Sequence, residues 1–174
     1  MLNKSFGTRQ PDSFAKVRVG TIQSGTGLRA KLQAVGCGIS SPAAEEMIDK
    51  ITFCDTEQSL DLVVFLAEEY LDYYPDNIPT MDGIIRIARK QGLYLCPPEV
   101  GPQLCVQYIN MPINGSYLIG MQPILAGASD PFVFKVYRNN QLQKLHLGFN
   151  ATSQLRRGEM MFLFSRDQFQ GSVR

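Results

Sequence analysis

Residues 57–71 read EQSLDLVVFLAEEYL, and the reading of this stretch decides the fold. Taken at 100° per residue, Leu60, Leu62, Val63, Val64, Leu66, Ala67, Tyr70 and Leu71 cover a broad apolar arc. Such a width predicts a central, well-packed helix over Glu57–Leu71, capped by Asp55 or Thr56. Glu57, Asp61, Glu68 and Asp72 fall in one narrow stripe on the opposite side, with Phe65 beside the stripe and outside the arc. An aromatic anchor ringed by charge resembles an interface hot spot, and acidic groups steer a basic partner. These five residues form the candidate partner-binding set. The bland counterpart is a solvated acidic face with Phe65 tucked under a loop. A third use is internal pairing, with the basic N-terminal segment or with Arg86, Arg89 and Lys90.

Outward from this stretch, charge is distributed in blocks. Residues 1–44 carry a net +5, residues 45–82 a net −10, residues 83–92 +3 and residues 93–174 +3. The near-neutral total of +1 therefore hides a strongly acidic middle. It also removes the argument for nucleic-acid binding that a basic domain would supply, and dense acidic charge opposes contact with phosphates.

The surrounding first half reads as helical. Thr26 or Gly27 opens a helix through Leu28, Leu32 and Val35, with Gly36 as its stop. Ser41 is an N-cap followed by Pro42 at the first helical position, where a missing N–H costs nothing. Thr80 caps Met81–Gln91, with Ile84, Ile85, Ile87 and Ala88 inward and Gly92 as the stop. After Gly92 the period becomes 2. Segments 93–96, 104–109, 117–122, 132–137, 142–147 and 160–164 read as strands, with hairpin residues at Asn114-Gly115 and Asn139-Asn140. The expected fold is α+β, with N-terminal helices packed on a C-terminal, mainly antiparallel sheet. Residues 1–13 are expected to be a mobile segment. Residues 14–174 are expected to form one domain, helical to about 92 and strand-rich from about 93.

Two residues in the strand-rich half carry the enzyme reading. Cys96-Pro-Pro-Glu-Val-Gly-Pro102 reads as a stiff loop that holds Glu99 in place, and a functional carboxylate benefits from such a mount. His146 is the only histidine. Strand alternation puts it with Leu142 and Lys144, and as a general base it needs an orienting carboxylate, for which Glu99 is the candidate. The plain alternatives are a rigid turn at a sheet edge and a structural histidine.

Other templates fail. Gly25-Thr-Gly27-Leu-Arg-Ala30 matches G-x-G-x-x-A. However, its strand is set apart by Gly20–Ser24, and no second parallel strand ends in an acidic residue about 20 positions on. There is no G-x-S-x-G, P-loop or H-E-x-x-H. Cys37, Cys54, Cys96 and Cys105 form no C-x-x-C pair and read as free thiols. No cofactor and no metal are implied. No apolar run approaches the roughly 20 residues of a membrane span, and residues 1–10 lack the apolar stretch of a secretory signal. The expected location is therefore cytoplasmic.

The leading functional expectation is a small soluble interaction or regulatory protein, binding a partner with a basic surface through the acidic face. The alternative is a small hydrolase- or transferase-like enzyme around Glu99 and His146. A weaker one is nucleic-acid binding by Lys135, Arg138, Lys144, Arg156 and Arg157. Oligomeric state is not encoded in any motif.

Overall fold

The computed structural model describes residues 11–73, 79–108, 111–112, 114–139, 143–150 and 161–172. Residues 58–66 are a strand and not a helix, which reorganises the fold around them. Leu60 and Leu62 are buried on one face of this strand and Val63 and Phe65 on the other. A strand covered on both sides reads as a continuous apolar run without alternation. Its Val63-Val64-Phe65 core is also β-branched and aromatic, as strands favour.

Among the described residues there are eight strands: β1 (Ser13–Val19), β2 (Gly38–Ile39), β3 (Gln58–Leu66), β4 (Ser116–Ile119), β5 (Ile124–Ala126), β6 (Asp130–Arg138), β7 (Gln143–Asn150) and β8 (Met161–Ser165). They form one mixed sheet in the order β1-β3-β8-β4-β6-β7-β2, with β5 on β6. The pairs β4/β8 and β2/β7 are parallel. The described residues also hold the α-helices α1 (Gly25–Ala34), α2 (Pro42–Asp49), α3 (Met81–Lys90) and α4 (Val100–Gln107), and a 3-10 helix spans Ala67–Tyr73. The expected division into N-terminal helices and a C-terminal, mainly antiparallel sheet therefore does not hold. Three strands, β1 to β3, come from the first half, α4 comes from the second, and the sheet is mixed. The architecture is α+β, and no helix among the described residues is long and apolar enough to cross a membrane.

The sheet curls into a half-barrel. Three strand spacings separate β1 from β4, roughly 14 Å if flat. Yet the Phe14 ring lies 4.7 Å from Tyr117 and 5.5 Å from Tyr108, centroid to centroid. A bulge helps. Ser13 pairs with Val63 and Ala15 with Leu62, so Phe14 is the extra residue of β1.

Helix α4 fills the curl. It packs on β1 at one end of the sheet and on β6 and β7 towards the other, and Val100 to Cys105 are all buried. Gly101 permits this close approach: a Cβ there would stand 2.9 Å from Cβ of Phe134 and 3.3 Å from Cγ1 of Ile119. The prolines of 97–102, read as a loop, are compatible with a helix start. Pro97 and Pro98 precede α4, and Pro102 lies in its first turn, where the N–H has no intrahelical partner. Residues 104–107 of the strand expected at 104–109 are correspondingly the second half of α4.

Cap chemistry places α2 and α3 as expected, whereas α1 starts at Gly25 behind Ser24, ahead of the expected Thr26 or Gly27. Side chains of Ser24, Ser41 and Thr80 accept from the N–H groups of Gly27, Ala44 and Gly83. Segment 93–96 contributes only isolated bridges, Tyr94 to Ser165 and Cys96 to Met121. Asn140 of the expected turn at Asn139-Asn140 and residues 1–10 of the expected mobile segment lie outside the described residues.

Candidate functional site

Glu99 is fully buried at the N-terminal end of α4. Its Oε1 accepts from the backbone N–H of Cys54 at 2.8 Å and of Gly20 at 3.1 Å. Its Oε2 accepts from Nε2 of Gln103 at 3.2 Å, and the Cys54 thiol donates to the same carboxylate. Burial first, and then this carboxylate, push the Cys54 thiol well above its ordinary value. Gln103 also donates to Oγ1 of Thr21 and accepts from Nε2 of Gln107. Gln107 then grips the open edge of β1. Its Oε1 accepts from Arg18 N–H at 2.9 Å and its Nε2 donates to the Arg18 carbonyl at 2.7 Å.

Glu99, Gln103 and Gln107 are spaced i, i+4, i+8, one stripe along α4. That spacing was present in the sequence, but it becomes meaningful only once 100–107 is known to be a helix. The stripe ties the end of β1, the loop around Cys54 and α4 together. Gly20 fits the junction with φ +76° and its Cα against Thr56, whose carbonyl oxygen would sit 2.3 Å from a Cβ. Among the described residues Glu99 takes its hydrogen bonds from Gly20, Cys54 and Gln103, and both its oxygens are engaged. The arrangement holds three segments in place. His146 lies in β7 with its backbone opposite Lys135, and its side chain lies outside the described residues.

The proposed acidic stripe is redistributed by the strand. Glu57 precedes β3 and faces Arg18 at 3.6 Å. Asp61 pairs with Arg166 at 2.8 Å and accepts from Ser13. Upstream, Arg29 holds Glu45 and Asp49 at 2.7 and 2.8 Å, and Lys50 holds Glu46 at 2.6 Å. Five carboxylates of the acidic block thus meet the chain's own cations, two of them, Arg18 and Arg29, from the basic N-terminal segment. Phe65 does not project beside a stripe. It is 4% exposed, stacked on Tyr70 at 5.0 Å with rings 2° from parallel, and edge-on to Phe164 at 5.6 Å. Glu68 and Asp72 sit in the 3-10 helix and are exposed.

Phe65 and Tyr70 instead help form the wall of a surface notch of about 220 Å³. Val64, Leu66 and Leu93 complete its apolar lining, and Glu69, Gln91 and Pro11 also line it. Leu66 and Tyr73 beside it are exposed large apolar side chains. Burial, then Glu69 and Tyr73, raise the Tyr70 phenol above its ordinary value. Sequence reading missed Tyr70 and Leu93 as site residues, because they join Phe65 only through the turn into the 3-10 helix and through the segment after α3.

The basic candidates for nucleic acid are only partly gathered. Lys144 lies opposite Tyr137 in the β6/β7 ladder, next to Lys135. Arg138 is turned to donate to the Met111 carbonyl, and Arg156 and Arg157 lie outside the described residues. The Gly25–Ala30 segment starts α1, and β1 pairs antiparallel with β3, so no βαβ unit surrounds it. Among the described residues no group of three or more His, Cys, Asp or Glu side chains could hold a metal ion. Comparison with family models, curated proteins and solved structures finds no match to this chain.

Proposed function

We propose that this chain is a protein-interaction domain that receives one bulky apolar side chain of a partner in the Phe65–Tyr70 notch. The partner segment carries Lys or Arg beside that side chain. The observation that carries the reading is the notch itself: a rigid aromatic pair at its wall, exposed Leu66 and Tyr73 beside it, and Glu69 among its lining residues. A buried anchor in a preformed pocket with a charged rim is the usual economy of a hot spot. Glu68 and Asp72 extend the negative rim along the 3-10 helix. Gln91 offers an amide to a peptide backbone.

The test is a displayed random-peptide library selected on the purified domain, followed by titration of the enriched peptide. Enrichment of an apolar residue flanked by Lys or Arg is expected. Leu66→Asp should abolish binding. Glu69→Lys should weaken it roughly three- to thirty-fold, as loss and reversal of an exposed ion pair imply. No enrichment, or an enriched peptide that binds Leu66→Asp unchanged, refutes the reading.

A further inference from the structure

Pro11 is the first described residue, and it lines the Phe65–Tyr70 notch. It is tied there. Its carbonyl accepts from Nη2 of Arg166, whose Nη1 donates to Oδ2 of Asp61 on β3 at 2.8 Å. The Arg166 N–H also donates to the Asp61 carbonyl at 2.8 Å. The chain therefore enters the described fold at the notch. Residues 1–10 read MLNKSFGTRQ. Phe6 is their one aromatic side chain, Lys4 stands two places before it and Arg9 three places after it, and none of the ten is acidic. This is the composition the notch suits: one bulky apolar group with cations beside it, against Phe65, Leu66 and Tyr70 with Glu69 in the lining. Phe6 is also within reach. Five residues of chain span at most about 17 Å when extended, and on the order of 12 Å as a flexible tether.

We propose that the segment Lys4–Arg9 is an intramolecular ligand of the notch, with the Phe6 ring against Phe65 and Tyr70 and its flanking cations beside Glu69. The inference rests on the notch reading above and adds its regulation: an outside partner has to displace Phe6 before it can seat its own apolar side chain. The tether decides how strongly. A short linker supplies an effective concentration in the millimolar range. A segment that binds with a Kd of about 0.3 mM when free then fills the notch roughly three-quarters of the time at an effective concentration of about 1 mM, and it weakens a competing peptide roughly four-fold. The contact is therefore a modest brake, one that a tight partner overcomes and a weak one does not.

Two-dimensional NMR of the full chain tests this with no partner present. Phe6→Ser should move the amide signals of Leu66, Glu69, Tyr70 and Leu93 and leave those of α1 and α2 in place. A synthetic peptide of residues 1–10, added at millimolar concentration to that variant, should return the moved signals towards their wild-type positions, and the same peptide carrying Phe6→Ser should not. The library-selected peptide should bind the Phe6→Ser chain roughly three- to five-fold tighter than wild type. Notch signals that stay in place with Phe6→Ser, or a selected peptide that binds both chains equally, overturn the intramolecular contact even where Leu66→Asp shows that the notch takes a partner. Signals that move and are returned by the added peptide, while no library peptide is enriched on the Phe6→Ser chain, uphold the contact and refute the outside partner.

Discussion

Glu99→Gln changes one buried oxygen to an NH₂ group at almost constant volume, and the hydrogen-bond chain on α4 sets its cost. At Oε1 the amide keeps its acceptor for Gly20 and Cys54. At the other position an amide nitrogen meets Nε2 of Gln103, donor against donor, where 3.2 Å now separates a bonded pair. Turning Gln103 over gives no relief, since its Oε1 accepts from Gln107 and its Nε2 donates to Thr21. Turning Gln107 over fails as well, because its two ends match the Arg18 N–H and C=O, whose order the backbone fixes. Reversing the new amide sets its NH₂ against two backbone N–H groups. One lost bond, at about 1 kcal/mol, and one unsatisfied buried donor, at about 1–3 kcal/mol, give a loss of roughly 2–4 kcal/mol. For a chain of this length that corresponds to a Tm lower by roughly 5–15 °C. The same logic specifies a rescue. Adding Gln103→Glu moves the carboxylate one turn along α4, where it accepts from the new amide, from Gln107 and from the Thr21 hydroxyl. The double variant should therefore be more stable than Glu99→Gln alone. Urea unfolding followed by circular dichroism measures both. A Glu99→Gln stability within about 0.5 kcal/mol of wild type, or a double variant no better than the single one, refutes the directional chain.

Phe65→Ala should cost about 3–5 kcal/mol, because the ring is part of the core as well as the notch; a cost under about 1 kcal/mol by the same unfolding assay contradicts its burial. Gly101→Ala should destabilise by about 1 kcal/mol. Steric contact with Phe134, at about 1–3 kcal/mol, outweighs the helix-propensity gain of at most about 1 kcal/mol, and a higher Tm in calorimetry would show that α4 lies less close to the sheet. Iodoacetamide labelling should rise with pH at Cys37 before Cys54 and Cys96. The Cys37 thiol is held below its ordinary value and the other two are pushed up, so thiolate appears at Cys37 at the lowest pH. Mass spectrometry showing Cys54 or Cys96 modified first would reverse that order.

Local chemistry was legible where it acts within a few residues. Ser41-Pro42 and Thr80 mark helix starts, and the edge of α3 at Gly92 and the strands around 117, 132–137 and 161–164 were readable to within a few positions. Two longer readings failed for opposite reasons. Residues 58–66 show an apolar surface on both faces because the sheet is covered from both sides, so the usual alternation that identifies a strand is absent. Residues 100–107 hold Gly and Pro, which normally break helices, but their places in the first turn and against Phe134 make them compatible with one. The site followed the elements. An acidic helix face vanished with the helix, and the Glu99–Gln103–Gln107 stripe was invisible while its helix was read as a stiff loop followed by a strand. Internal pairing of the acidic block with the N-terminal cations was legible as one option, and charge alone could not choose it over an external partner.

The place of β8 has a consequence for how the chain is made. Met161–Ser165 sits between β3 and β4 and joins two otherwise separate pieces of sheet. During synthesis, β1 and β3 can pair early, and β4 to β7 can pair among themselves, but the seam between them waits for a strand roughly a hundred residues downstream of β3. Until then the VVFL edge of β3 is an unpaired, uncharged strand, the kind that recruits other chains. Nascent chains stalled before residue 161 should therefore be bound by chaperones or aggregate, and closing this seam is the step that commits the domain to its native state.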